Sequence, residues 1–556
     1  MLVKLSTRPA LRRCASASAL ALALLGAGLP AAAADRPQPD LARFYRQEPV
    51  WAACRGPDMP GDLECAKVTV PLDYARPDAG TLDVALARYR ATGASHGSVL
   101  LNFGGPGGAG IPELATEGRQ FTDLTDGYDV VTFDPRGVGR SSPVSCGEGD
   151  GAASTGPGLG ADPARPQALL RQLRQAADQC ARASGPVLAH IGTVNASRDL
   201  DVIRQALGDG KLNYLGFSYG TRLGAVYAAQ FPGKVGRMAL DGVDTLTEPP
   251  AEEALAGAEG QQTALEDFLD WCTTDLGCPF GQDRRAAGDE VVRLVRSLDR
   301  NPVPTDFGGA FTGQDLVGAV SRALYSKDLW PSLERALVSL VEDGDTRRVL
   351  AFALGGIGLP GGRPPADGGL SSDRSRTDGG LPGGRSRTDG GLVDTEDVPA
   401  DNLPAALIAI NCADDPDRPD AARLTADLKR LRAAYDQASP VFGRYRLTQV
   451  LMCYGRPRGT DFIRNRVKDV HAAKMLLVGT RGDPATPYRW TVETARRLGP
   501  SAVVLDNKGE GHTGYSSSRC VHRKVDDFLL YGTLPASGSS CPANAAGAGA
   551  TPDGAG

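Results

Sequence analysis

The chain has 556 residues, of which 41% are hydrophobic and 23% charged. That is enough apolar material for a large core, so wholesale disorder is excluded and two or more domains are expected. The formal net charge of -5 carries no basic footprint, which excludes nucleic acid as the expected partner and leaves a small molecule or a peptide.

Residues 1–34 read as a secretory signal. Lys4, Arg8, Arg12 and Arg13 precede an apolar run over 19–25, and Ala31 to Ala34 stand before Asp35. The run is short and is followed by Gly26, Gly28 and Pro30, so a cleaved leader is expected rather than a membrane anchor. No stable membrane association is expected of the rest. Removing the leader removes Cys14 and leaves ten cysteines, at 54, 65, 146, 180, 272, 278, 412, 453, 520 and 541. An exported chain with an even count predicts five disulfides, and no Cys/His spacing offers a zinc site instead. Sequence leaves the connectivity open. Pairing neighbours along the chain, so that each bridge closes one loop, is the expectation.

From 97 to 240 short apolar runs alternate with helical patterns, the signature of a mostly parallel sheet covered by helices. Strands are predicted at 98–103 (SVLLNF), 128–133 (YDVVTF), 212–215 and 235–240 (VGRMAL), and helices at 197–207 and 221–231. The pattern resumes at 474–478 (KMLLV) and 502–505 (AVVL), with a closing helix at 521–531. The first part of an α/β core is therefore placed at 35–244 and the second at 466–542. Between them, 245–465 has a different texture. Helical stretches at 254–270, 290–298, 315–324, 329–342 and 423–437 predict a mainly helical cap. Within it, 358–397 is rich in Gly, Pro, Arg and Asp, and SRTDGGL recurs at 375–381 and 386–392, which predicts a disordered loop. The tail 543–556 is expected to be disordered for the same reason.

Two stretches match G-x-S-x-G, around Ser218 and around Ser95, and context separates them. Ser218 follows a strand pattern and precedes a helix pattern, the setting of a nucleophile elbow, where Gly216 and Gly220 relieve the crowding of a tight turn. Ser95 only precedes a strand and reads as a turn. A serine hydroxyl needs a base, and the base needs a carboxylate to orient it. Asp483 and His512 follow the last two core strands, so both are expected at the sheet edge that carries Ser218. Asp241, after the strand at 235–240, is the competing acid. Oxyanion donors are expected from the backbone N–H groups of Tyr219 and Gly105, the latter in the glycine-rich loop 103–110 (FGGPGGAG), with Gly107 as the lesser alternative. The loop lacks the Lys-Ser/Thr of a phosphate loop. The constellation needs no metal or organic cofactor.

Together, 103–110 (FGGPGGAG), 134–141 (DPRGVGRS), 216–221 (GFSYGT), 479–487 (GTRGDPATP) and Gly511-His512 resemble the secreted tripeptidyl aminopeptidases of actinobacteria, in the proline iminopeptidase branch of the alpha/beta-hydrolases. The chain departs from the shorter proline iminopeptidases in having Phe103 where they carry a histidine. The resemblance implies an alpha/beta-hydrolase fold and a monomeric secreted serine exopeptidase that releases short, tripeptidyl units through an acyl-enzyme. The alternatives are a secreted carboxylesterase and a hydrolase-fold binding protein that has lost its catalytic groups. An exopeptidase needs an anion for the free α-ammonium of its substrate. Asp414, held beside Cys412, is the first candidate for that anion, and Glu252 and Glu253 are the next.

Overall fold

The computed structural model describes residues 40–543 apart from 57, 148–165, 247, 306–307, 354–396 and 464–466. The leader, the repeat and the tail read from the sequence fall outside the described residues, except for a few positions at their margins.

Among the described residues ten strands form one sheet. In chain order the strands are β1 (Ala52–Ala53), β2 (Glu64–Pro71), β3 (Thr81–Tyr89), β4 (Ser98–Asn102), β5 (Asp129–Phe133), β6 (Leu212–Phe217), β7 (Val235–Asp241), β8 (Val303–Pro304), β9 (Ala310–Phe311), β10 (Met475–Gly482), β11 (Ala502–Glu510) and β12 (Ser540–Cys541). The sheet order is β1-β2-β3-β5-β4-β6-β7-β10-β11-β12, and β8 pairs only with β9. From β5 through β12 every neighbouring pair is parallel, whereas β1, β2 and β3 join antiparallel at one side. None of these three strands was predicted from the sequence, although β2 and β3 run for eight and nine residues. The predicted strands all form, most of them longer than read; β11 runs to Glu510, not Leu505.

Helices cover both faces of the parallel part, which is why its strands read as continuous apolar runs rather than alternating ones. Residues of period two part to opposite sides. Leu100, Val131, Tyr214, Met238 and Leu477 join one core, and Val99, Leu101, Val130, Leu215, Ala239, Leu476 and Val478 join the other. All are fully buried, each large side chain contributing roughly 1.5–3 kcal/mol relative to exposure.

β7 and β10 are direct neighbours, with Met475 opposite Met238 and Val478 opposite Asp241. The chain between them is therefore one long excursion from a single sheet position. Its described residues are mainly helical, including Pro250–Cys272, Arg284–Arg300, Gly313–Ala323, Trp330–Asp343, Asn402–Asp414 and Ala421–Ala438. Phe268, Trp330, Leu333 and Phe352 belong to a separate apolar core there. Five disulfides pair neighbours along the chain: Cys54–Cys65, Cys146–Cys180, Cys272–Cys278, Cys412–Cys453 and Cys520–Cys541. Among the described residues no helix is long and apolar enough to cross a membrane.

Candidate active site

Ser218 stands between β6 and the helix Tyr219–Gln230, with φ 54° and ψ -125°. A non-glycine residue at positive φ carries strain that the surrounding structure must hold. Here the turn is fixed on three sides. Ser218 N–H donates to the Asp241 carbonyl on β7 at 2.9 Å. A Cβ at Gly216 would lie 2.6 Å from the Gly220 carbonyl oxygen, and one at Gly220 would lie 2.5 Å from the Asn102 carbonyl oxygen on β4. Neither position has room for a side chain. Ser95, by contrast, sits in an exposed turn and closes it by bonding the Gly97 backbone.

The glycine-rich loop after β4 folds against this turn. Gly104 and Gly105 have φ of 92° and 114°, and a Cβ at Gly104 would lie 3.1 Å from the Tyr219 nitrogen. As the first residue of its helix, Tyr219 has an N–H with no intrahelical acceptor. Gly105 and Ser218 border one cavity. Gly107 lies farther along, packed on the backbone of Leu403 and Leu407. Phe103, in place of a histidine, stacks on Phe217 at 5.9 Å.

Asp483 follows β10 and His512 follows β11, and the two meet. The Nδ1 of His512 lies 2.9 Å and 3.0 Å from the two Asp483 oxygens. Asp483 is held in turn by the N–H groups of Ala485 and Thr486 and by the Thr486 hydroxyl. Burial works against the imidazolium, but the Asp483 carboxylate, aided by Asp241 and Asp244, outweighs it and raises the His512 pKa. A Cβ at Gly242 would lie 3.5 Å from His512 Cε1, so the imidazole packs beside the residue that follows Asp241, the backbone partner of Ser218. Asp241 itself does not bond the histidine. It accepts the N–H groups of Gly514 and Tyr515, and burial pushes its carboxyl up to about 6. The structure thus divides the two acids between the ring of His512 and the loop behind it.

A corner of the helical excursion holds the same loop from outside. The Tyr325 carbonyl accepts the His512 N–H at 2.8 Å, the Tyr325 ring meets the imidazole edge-on at 5.0 Å, and Lys327 pairs with Glu510 at 3.0 Å.

The cavity beside Ser218 encloses about 250 Å³. Among the described residues five carboxylates border it (Asp244, Glu248, Glu253, Asp414, Asp415), together with two guanidiniums, Arg222 and Arg446. Of the three acids singled out from the sequence, Asp414 and Glu253 border it and Glu252 lies outside, exposed on its helix. Asp414 is 4% exposed as a side chain and already accepts from the Thr193 N–H at 2.7 Å and the Thr193 hydroxyl at 2.5 Å. Thr193 also bonds the Tyr219 hydroxyl, so Asp414 braces the residue next to Ser218. Burial pushes its carboxyl up to about 6, against the pull of Arg222. Glu253 has a side chain 35% exposed, and its ion pair is a 3.4 Å contact to Arg222. Burial raises its pKa, Arg222 opposes this, and Asp244 and Glu248 add to the rise.

Sequence reasoning missed Arg222, Arg446 and Tyr325. Arg222 had a signal, a lone arginine one turn past Ser218 in the small-residue helix YGTRLGAVYAAQ. It pairs with Asp244 at 3.0 Å and bonds Asn411. Arg446 and Tyr325 come from the helical excursion, where no sheet edge predicts which side chains converge.

Two family models match the chain, one for the alpha/beta hydrolase fold over residues 97–340 and one for TAP-like proteins over 439–541. Serine protease Hip1 of Mycobacterium tuberculosis is 32% identical over 513 residues, covering 88% of this chain and 90% of that protein. The tripeptidyl aminopeptidase of Streptomyces coelicolor is 30% identical over 525 residues, covering 91% and 88%. A Mycobacterium tuberculosis protein named carboxylesterase B is 31% identical over 555 residues, covering 95% and 98%. With the hydrolase topology and a site at the carboxyl edge of its sheet, these likenesses place the chain in the tripeptidyl aminopeptidase-like family of the alpha/beta-hydrolases.

Proposed function

We propose that the protein is a secreted serine exopeptidase that removes short, tripeptidyl units from peptide N-termini. Ser218 attacks the scissile carbonyl and His512, oriented by Asp483, takes the serine proton and passes it to the leaving amine. The N–H groups of Gly105 and Tyr219 receive the oxyanion, and water then hydrolyses the acyl-enzyme. The five disulfides suit an oxidising compartment, in keeping with export behind the N-terminal leader.

The observation that carries the exopeptidase reading is Glu253, the one of the three sequence candidates that borders the cavity beside Ser218 with an accessible side chain. Asp414 is the weaker acceptor because Thr193 and Arg222 surround its oxygens. A free α-ammonium placed on Glu253 pairs with its carboxylate in a charge-assisted hydrogen bond.

The test compares chromogenic amides of one, two and three residues, each with a free and an acetylated N-terminus. The free tripeptidyl amide is expected to be the best substrate. Glu253→Gln should raise its KM by about 10–100-fold, the loss of one charge-assisted hydrogen bond. Equal cleavage of the acetylated amide would remove the exopeptidase reading. Turnover of esters alone would put a carboxylesterase in its place, the second reading favoured by the relative of that name.

A pH profile checks the base. His512 acts only when unprotonated, and its pKa is raised, so kcat/KM should fall on the acid side with a midpoint above the ordinary histidine value of about 6.5. A midpoint at or below that value would contradict the Asp483–His512 pairing.

A further inference from the structure

Arg446 differs from Arg222 in its partners. Its Nε donates to Gln261 Oε1 at 2.9 Å and one terminal nitrogen donates to Gln449 Oε1 at 3.2 Å. Both partners are neutral amides. Among the described residues no carboxylate reaches ion-pair distance of this guanidinium, and its second terminal nitrogen has no acceptor. Burial accordingly lowers its pKa, although Tyr325 and Glu253 oppose this from farther off. Arg222, by contrast, has Asp244 and Glu253 in contact and Asp414 at 4.0 Å.

Arg446 is half-buried and borders the cavity, and a guanidinium without a counter-ion there is a ready partner for an anion brought by a ligand. The geometry says where on the ligand the anion belongs. Arg446 lies over Gly257, where an added Cβ would come 3.3 Å from its Cζ. Gly257 is four residues after Glu253 on the helix Pro250–Cys272, so the two positions are neighbours on one face, with about 5–6 Å between Cβ sites. An α-ammonium on Glu253 therefore places the side chain of the same residue beside Arg446. Only the first residue of the peptide carries its ammonium and its side chain that close together.

We propose that Arg446 is a specificity-determining residue that binds the side-chain carboxylate of an N-terminal Asp or Glu, so that the favoured substrates are peptides beginning with an acidic residue. This rests on the exopeptidase reading, with the ammonium at Glu253, and adds a second pole to it.

The experiment measures equilibrium binding to the Ser218→Ala protein by calorimetry, which requires no turnover. The ligands are the tripeptide amides Glu-Ala-Ala-NH2 and Gln-Ala-Ala-NH2, with Glu/Gln pairs also placed at the second and third positions. The Glu-first ligand should bind about tenfold tighter than its Gln counterpart, a difference of one charge-assisted contact. Adding Arg446→Gln should bring that ratio to about one, and Arg446→Lys should restore part of it. Fluorophosphonate labelling of the same Arg446 variants, with Ser218 intact, reports that the fold survives. Equal binding of the pair, or a preference indifferent to Arg446→Gln, overturns the proposal and leaves the exopeptidase reading standing. A preference confined to the second or third residue overturns the placement one turn from Glu253. If no tripeptide amide binds while the protein labels, both fall together.

Discussion

Ser218→Ala is expected to abolish fluorophosphonate labelling and to lower kcat/KM by at least about 10⁴-fold, since the oxyanion donors and substrate contacts that remain account for only the residual rate of a serine hydrolase stripped of its nucleophile. Ser95→Ala should label and turn over like the unaltered protein, because its hydroxyl only closes an exposed turn. The two serines share one sequence pattern and differ in backbone. Ser218 is held at φ 54° by β6, β7 and the glycine-rich loop, which projects its side chain toward the cavity. Failure of the folded, unaltered protein to label, under conditions where a control serine hydrolase does, would sink the nucleophile assignment and favour a binding protein.

Asp483→Asn should lower kcat by about 10⁴-fold, through the wrong imidazole tautomer and loss of the charge that stabilises the imidazolium. It should also shift the acid limb of the pH profile downward, since the Asp483 carboxylate is what lifts the His512 pKa against burial. Asp241→Asn should cost far less in kcat. Its carboxylate accepts the backbone of Gly514 and Tyr515, so an amide there loosens the loop after His512, and the larger change is expected in thermal midpoint. Steady-state kinetics with thermal unfolding on both variants separates the two. A larger kinetic loss for Asp241→Asn would transfer the acid role to that residue while leaving Ser218 and His512 in place.

Much of this site was legible because a parallel sheet converts sequence order into position. A residue just past a buried strand emerges at the carboxyl edge, so Ser218, Asp483 and His512 could be assigned to one edge from three strand endings, although Ser218 lies far from the other two in sequence. The glycines of 103–110 and of 216–220 were readable for a steric reason that the structure bears out at Gly104, Gly216 and Gly220. The cavity wall was not readable. The helix Asn402–Asp414 is buried from Ala405 through Asp414 with few breaks, so it shows no amphipathic stripe by which to recognise it. Asp414 could therefore be singled out from the sequence, but not its engagement by Thr193. Glu252 and Glu253 are adjacent on a helix, and successive helical side chains diverge by about 100°; sequence proposed both, and only Glu253 borders the cavity.

The hold of Tyr325 and Lys327 on the His512 loop bears on how this architecture can be re-engineered. Caps on hydrolase folds invite exchange, as interchangeable modules that set substrate range while the sheet keeps the chemistry. Here the seam does not run between specificity and chemistry, because the Tyr325 carbonyl receives the His512 N–H and Lys327 reaches the adjoining Glu510. A graft from a relative that omits this corner would replace the pocket and also unfasten the loop of His512, the proposed general base, so a chimera has to carry the 325–327 corner with the core rather than with the helical excursion.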